Sequence, residues 1–402
     1  MQKGLKDEKR KNSDVGYNTG NRGNIGYFGT FFLNTGFYGT EIRGETMFAA
    51  ITARTMFMVC VPLFLLLTGY LMKNKKVSFR YYTGIGKVIF VYLLSTAAML
   101  LFRKFGLNEP VTLFSAFENI FTFQQYSWYV EMYIGLFALI PFFNVLYGNL
   151  DRRGKKLLIS VMIFVTVLPT TFNSFDWYAR LIAPAASPQP FAFKIFPDFW
   201  TKLYPVTYYF IGAYISENKE AIRNKKIFNI GVFLAAVILF GAYDYYLCHG
   251  RTFIWNGISD WGGVQDTVLS VLLFCTVLKT DFVSKAAFSS SAANGSGRPE
   301  RTVVMPRFAV WLISRLSEIS FGTYLLSWIA DNITYPVLCT NIEGFHERFP
   351  YFFVMVPLNF CIASVMSAVV FAVYRAFSAV IKIIKSKRKV PWSGSGTVSP
   401  AK

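Results

Sequence analysis

The 402-residue sequence contains few charged residues and only two histidines. Asp, Glu, Lys and Arg make up 16% of it, whereas soluble domains carry about 25%. His249 and His346 lie outside the apolar stretches, and neither has a metal-like partner four residues further on. The five cysteines lack metal-ligand spacing, and the sequence has no glycine-rich phosphate loop, nucleophile elbow or zinc motif. We therefore predict no bound metal and no permanently bound cofactor.

Long apolar runs take the place of the missing charges. After Arg54, eighteen residues to Met72 carry no charge, which is enough for a helix to cross a hydrocarbon layer of about 30 Å. Pro62 and Gly69 within this run are tolerated in a bilayer, where neighbouring helices satisfy the freed backbone groups. Arg54 should point into protein or water. With 53% apolar residues arranged in such runs, the sequence predicts an all-α, polytopic integral membrane helix bundle.

Nine clear spans are predicted, together with one degenerate or missing N-terminal span around residues 24–46. The nine spans are 47–72, 82–102, 128–147, 156–172, 199–216, 227–247, 264–278, 308–330 and 351–374. Residues 1–23 are predicted to be a disordered basic tail, and the polar N-terminus does not resemble a cleavable signal peptide. Residues 24–384 form the transmembrane domain, with a cytoplasmic linker loop at 286–301. Residues 385–402 form a basic cytoplasmic tail.

Basic residues in the loops predict the orientation of the bundle. Alternate loops and the C-terminal tail hold 24 Lys and Arg residues, against six in the intervening loops. The positive-inside rule therefore places the C-terminus in the cytoplasm, and loop charge accounts for the net charge of +19 without nucleic-acid binding. Nine spans would then put the residues before Met47 outside, although the N-terminal basic cluster favours the inside. A tenth crossing near residues 24–46 would resolve this conflict.

Several polar and aromatic residues stand out on the predicted spans. Glu131 lies about one turn inside the membrane, where a carboxylate is either functional or part of a structural ion pair, here with Arg54. Trp128 and Tyr129 beside it fit either an interfacial aromatic belt or a sugar-binding platform. Cys248 and Cys339, both near predicted outer span ends, could form a disulfide.

One later helix carries a polar stripe, and one earlier helix begins with basic residues. Ser320, Thr323, Ser327 and Asp331 recur at helical spacing, which indicates either helix packing through small polar residues or a wet substrate cavity. Arg80 and Lys87 are seven residues apart on one predicted helical face. They could hold the phosphates of a cytoplasmic donor, or they could serve only to orient the protein in the membrane.

Four ordered segments resemble the bacterial membrane acyltransferase 3 family. They are RTMFMVCVPLFLLLTGYLM at 54–72, SWYVEMYIGLFALIPFFN at 127–144, LYPVTYYFIGAYIS at 203–216 and ISFGTYLLSWIAD at 319–331. The resemblance implies an O-acyltransferase of the bacterial inner membrane. It implies transfer of an acyl group, typically acetyl from acetyl-CoA, to a glycan hydroxyl. The expected partners are membrane lipid, the glycan acceptor and acyl-CoA.

The resemblance also indicates where this chain departs from the family. The first helix in the family ends in a His thought to act as base, preceded by an Arg, and these positions fall on Thr30 and about Thr19. Ser327 replaces a second, later His of the family. We therefore expect low activity. The residue that remains as a catalytic candidate is Glu131, and the substrate-binding candidates are Arg54, Arg80, Lys87, Trp128, Tyr129, Tyr324, Ser327 and Asp331.

A transporter or flippase for a lipid-linked glycan is the alternative function. Polar stripes on spans and an intramembrane carboxylate would also suit a translocation path. No inverted repeat or paired half-helix pattern supports it in the sequence. Covalent transfer of a labelled acyl group would distinguish the two functions.

Overall fold

A computed structural model describes residues 29–173, 195–254, 259–279 and 307–387 of the protein. In these ranges the chain is helical, with only isolated bridges between single residues and no strand. The helices are α1 (Gly29–Asn34), α2 (Gly44–Met58), α3 (Cys60–Met72), α4 (Phe79–Tyr82), α5 (Gly86–Phe105), α6 (Leu113–Phe121), α7 (Trp128–Gly148), α8 (Arg152–Phe172), α9 (Tyr204–Glu217), α10 (Lys219–Arg223), α11 (Ile230–Cys248), α12 (Val264–Lys279), α13 (Arg307–Asn341), α14 (Phe345–Arg348) and α15 (Phe352–Lys387). The predicted N-terminal tail, the linker at 286–301 and residues 388–402 lie outside the described ranges.

Each of the nine predicted spans falls on a helix or helix pair, which confirms the prediction of an all-helical membrane bundle. Six helical segments among the described residues are long and apolar enough to cross a membrane. They are Gly44–Met72, Phe79–Phe105, Leu113–Gly148, Arg152–Phe172, Ile230–Cys248 and Phe345–Ile381. The remaining predicted spans lie on α9, α12 and α13, and α9 and α12 have only 14 and 16 residues. The number of nine crossings therefore stays a prediction.

The described part of the degenerate N-terminal span begins with a short, buried helix. Helix α1 has six residues, and the chain then turns at Gly36, whose φ of 91° favours glycine. Phe31, Phe32 and Phe37 are fully buried, and Phe31 packs edge-on against Phe352 with 5.1 Å between ring centroids. This aromatic packing places α1 against the start of α15.

Helices α3 and α9 approach each other closely. A Cβ atom on Gly69 would lie 2.0 Å from the carbonyl oxygen of Tyr209, and one on Gly212 would lie 2.1 Å from the carbonyl oxygen of Leu66. Small residues permit such backbone approach between membrane helices. Tyr208, Tyr209 and Phe210 are all buried, so α9 is enclosed on every side and forms the centre of the largest apolar cluster.

Candidate functional site

The Asp331 carboxylate is buried and receives hydrogen bonds from three parts of the chain. It lies on α13 and is 3% exposed. Its Oδ2 accepts from the Tyr126 hydroxyl at 2.8 Å, and its Oδ1 accepts from Asn359 Nδ2 of α15 at 3.0 Å. The Thr30 hydroxyl of α1 also donates to Oδ1, at 3.4 Å. We call Thr30, Tyr126, Asp331 and Asn359 the Asp331 network.

This network is held in place and borders a small cavity. Thr334 donates to Asn359 Oδ1 at 2.5 Å, which turns the amide nitrogen of Asn359 towards Asp331. A cavity of about 140 Å³ opens beside the carboxylate, with room for a few water-sized groups. Its lining residues are Asn34, Asp331, Asn332, Tyr335, Pro336 and Cys339.

A strained turn before α7 places the Tyr126 side chain in the network. Phe123 and Gln125 have φ values of 48° and 58°, a left-handed conformation that costs a non-glycine residue about 1–2 kcal/mol. Such strain persists only where surrounding contacts determine the backbone. Tyr92 supplies one of these contacts by donating its hydroxyl to the Ile120 carbonyl at 2.7 Å. The buried bond from Tyr126 to Asp331 supplies another.

The aromatic candidates come together next to the network. Trp128 stacks on Trp261 with 4.6 Å between centroids and an interplanar angle of 11°. Tyr129 meets Tyr324 edge-on at 6.0 Å, and Tyr324 lies 6.4 Å from Tyr126. In the described part of the chain, the indole nitrogen of Trp261 is buried without a hydrogen-bond partner, whereas the Tyr324 hydroxyl interacts with the side chain of Trp128. The aromatic candidates therefore form one packed cluster.

Trp261 has a rigid local frame. The Tyr208 hydroxyl donates to its carbonyl at 2.6 Å, and its own backbone N–H donates to Asp260 Oδ1 at 2.8 Å. Burial raises the pKa of the Asp260 carboxyl, and this backbone hydrogen bond together with the charge of Lys202 acts in the opposite direction. The stacked tryptophan pair therefore has a fixed position.

Arg54 points into protein, as predicted for a guanidinium at the end of a membrane span. Its Nε donates to the Tyr38 hydroxyl at 3.0 Å, and its guanidinium lies 4.4 Å from the ring centroid of Phe253. The carboxylates that act on it electrostatically are Asp244 and Asp266, both buried. The ion pair with Glu131 that the sequence allowed is therefore not formed, because other carboxylates surround the guanidinium.

Glu131, the predicted catalytic residue, lies outside the Asp331 network. Its side chain is exposed in the first turn of α7, where a negative charge is favourable at the helix N-terminus. The sequence indicates how deep Glu131 lies in the membrane, but it does not show to which side of the helix its side chain points. The candidate carboxylate in the network is Asp331, which adjoins the aromatic candidates through Tyr126.

The shared face predicted for Arg80 and Lys87 stays a prediction, because a 3₁₀ turn separates the two residues. Arg80 belongs to the four-residue helix α4, and Lys87 begins α5, with a 3₁₀ turn at Thr83–Ile85 between them. Because a 3₁₀ turn has 3.0 residues per turn, it breaks the 3.6-residue periodicity on which the prediction relied. Both side chains are exposed.

Cys248 and Cys339 do not form the disulfide that the sequence allowed. Both are free. The Cys248 sulfur accepts from the backbone N–H of Ile254 at 3.4 Å, whereas the Cys339 thiol donates to the Asn34 carbonyl at 3.3 Å. Each thiol therefore packs in its own local environment.

Three members of the site were not chosen as candidates from the sequence. Ser327 and Asp331 were identified by helical periodicity, and both are indeed buried on one face of α13. Tyr126 and Asn359 were missed, although Asn359 is a polar residue within an apolar run, which is a usable signal. Thr30 was noted only as the position of an absent His.

A larger cavity lies away from these residues. It has a volume of about 590 Å³ and is lined by Arg152, Ser216 and the residues from Glu217 to Ala221. Glu217 there pairs with Lys155 at 3.0 Å. Its walls carry charges of both signs and none of the predicted site residues, so the smaller cavity is the better candidate.

Fold and site together define a polytopic helical membrane protein with a buried carboxylate network beside an aromatic cluster. The chain belongs to the acyltransferase 3 family, because the family model described as an acyltransferase domain matches residues 15–374. This match confirms the resemblance seen in the sequence and indicates a membrane acyltransferase. Comparisons with curated proteins and with solved structures gave no match.

Proposed function

We propose that the protein transfers an acyl group, usually acetyl, from acyl-CoA to a hydroxyl of a cell-surface glycan at the bacterial inner membrane. Its C-terminus would lie in the cytoplasm, and no permanently bound cofactor would be required. The observation that carries this proposal is the buried Asp331 carboxylate, with its three hydrogen-bond donors and its adjoining cavity. The family match supplies the class of reaction.

The transfer requires one proton to move. The acceptor oxygen forms an ester bond to the acyl carbon, the carbon–sulfur bond of the thioester breaks, and the hydroxyl proton ends on the CoA sulfur. A buried group that accepts this proton lowers the barrier. Asp331 can take the proton in this chain. Trp128, Tyr129 and Tyr324 would bind the glycan through their ring faces.

Thr30 explains why this chain should turn over slowly. Its hydroxyl stands beside Asp331 at the position where the family resemblance expects a His. A threonine hydroxyl is not a base near neutral pH, so it cannot accept the proton that a His at this position would take. The network therefore holds the carboxylate but lacks the base that the family resemblance expects.

Transfer from radiolabelled acetyl-CoA to cell-wall glycan tests the proposal in membrane vesicles from a strain without its own glycan acetylation. We expect slow transfer by the unmodified chain and a further loss of at least tenfold in Asp331→Asn. Glu118→Gln, on the exposed surface of α6, should behave like the unmodified chain.

Two outcomes would contradict this assignment. A greater loss in Glu131→Gln than in Asp331→Asn would favour the carboxylate chosen from the sequence. Movement of lipid-linked glycan across the membrane without any labelled ester would favour the transporter.

A further inference from the structure

Three cationic side chains from three helices meet around a single carboxylate. Glu318 of α13 accepts from Arg375 of α15 at 2.8 Å and from Arg315 of α13 at 3.2 Å. Lys87, at the start of α5, also acts on this carboxylate electrostatically. No second carboxylate pairs with these cations among the described residues. We call Lys87, Arg315 and Arg375 the basic cluster, which retains an excess of two positive charges.

The basic cluster lies at the end of an exposed apolar stripe. Val365, Val369 and Val373 of α15 are 68%, 60% and 47% exposed, and their spacing of four residues places them on one face of the helix, on the bilayer side of Arg375. The side chains of Arg315 and Arg375 are 51% and 50% exposed. An exposed apolar face that ends in guanidinium groups at the cytoplasmic end of the helix has the order of polarity found at a membrane surface.

Aromatic rings hold the third cation in the same place. The Lys87 nitrogen lies 5.1 Å from the ring centroid of Phe371 and 6.0 Å from that of Tyr374. Both rings belong to α15, so the lysine links α5 to the helix that carries Arg375. The three cations are therefore fixed by contacts on α5, α13 and α15.

We propose that the basic cluster binds the phosphate of an anionic phospholipid in the cytoplasmic leaflet. Two guanidinium groups suit a phosphate because each can donate two parallel hydrogen bonds. The acyl chains would lie along the stripe formed by Val365, Val369 and Val373. Basic pockets between helices on the cytoplasmic side are typical sites for lipid headgroups.

Geometry separates this lipid site from the Asp331 network. Arg315 precedes Asp331 by 16 residues on one helix, which corresponds to about 24 Å along its axis. The exposed stripe leads outwards to lipid rather than inwards to the aromatic cluster. The lipid site therefore does not depend on the proposed acyl transfer.

Lipid retention by the full-length protein tests this site directly. The protein would be purified in detergent, mixed with equal amounts of phosphatidylglycerol and phosphatidylcholine, and examined by native mass spectrometry. We expect selective retention of phosphatidylglycerol by the unmodified chain. In the double variant Arg315→Gln/Arg375→Gln, the affinity of the protein for phosphatidylglycerol should fall about thirtyfold, since each basic residue near a membrane surface contributes to anionic lipid binding.

The matched control is Arg153→Gln/Lys156→Gln, which removes two exposed basic residues of α8 and should keep the lipid. Size-exclusion profiles and melting temperatures would confirm that both double variants are folded. Equal retention by the two double variants would overturn the proposal. Displacement of the lipid by 3′,5′-adenosine diphosphate would also overturn it, because the cluster would then bind nucleotide phosphates.

Discussion

Thr30→His is expected to raise acyl transfer at least about a hundredfold, the lower range of the contribution of a general base. A His at this position replaces a hydroxyl that already bonds to Asp331 Oδ1. One imidazole nitrogen can donate to that carboxylate, which leaves the other free to accept the proton of the acceptor hydroxyl. Initial rates of labelled acetyl transfer in vesicles measure the effect.

The double variant Thr30→His/Asp331→Asn separates this mechanism from a simple gain in stability. It should lose most of the gain, because an amide does not stabilise the imidazolium that forms during transfer. Thr40→His, at a partly buried position after the turn at Gly36, should leave the rate unchanged. An equal gain in the double variant would show that Asp331 does not orient the new base.

Gly69→Val is expected to destabilise the folded bundle by at least about 3 kcal/mol, because overpacking at a rigid contact forces backbone shifts. The clash is with the Tyr209 carbonyl oxygen, 2.0 Å from the position of the new Cβ. The neighbouring backbone cannot move aside as a flexible side chain would. The yield of monodisperse protein in detergent and its melting temperature measure the effect.

Gly135→Ala on α7 is the control, because it shows how much a change from glycine to alanine in a helix alters stability without a clash. Nothing lies within 4 Å of a Cβ at that position, so its stability should stay within about 1 kcal/mol of the unmodified chain. Even Gly69→Ala should melt well below Gly135→Ala. Identical melting temperatures for the two alanine variants would contradict the close packing of α3 on α9.

The helices were predictable because the membrane fixes the length and polarity of a span. The eighteen residues after Arg54, up to Met72, predict a membrane crossing simply because none of them is charged. The buried face of α13 was likewise visible as the spacing of Ser327 and Asp331. Local periodicity carries this kind of information without any knowledge of neighbouring helices.

The partners of Asp331 were not predictable from such patterns. Thr30 lies 301 positions away from Asp331 in sequence. The contact between the two residues depends on how α1 packs against α15. Tyr126 reaches the carboxylate because the turn before it has left-handed residues at Phe123 and Gln125. The sequence contains no turn motif that would predict this conformation. Depth in the membrane predicted Glu131 as the catalytic acid, but depth alone does not show which direction a side chain faces.

A cryo-electron microscopy map with a thioether analogue of acetyl-CoA tests the central claim most directly. The analogue replaces the cleavable thioester, so it would remain bound to the Thr30→His chain. We predict density for its acetyl-like end in the cavity beside Asp331, within hydrogen-bonding distance of the substituted side chain. Density for that end beside Glu131, or bound only in the cavity lined by Arg152 and Glu217, would contradict the account.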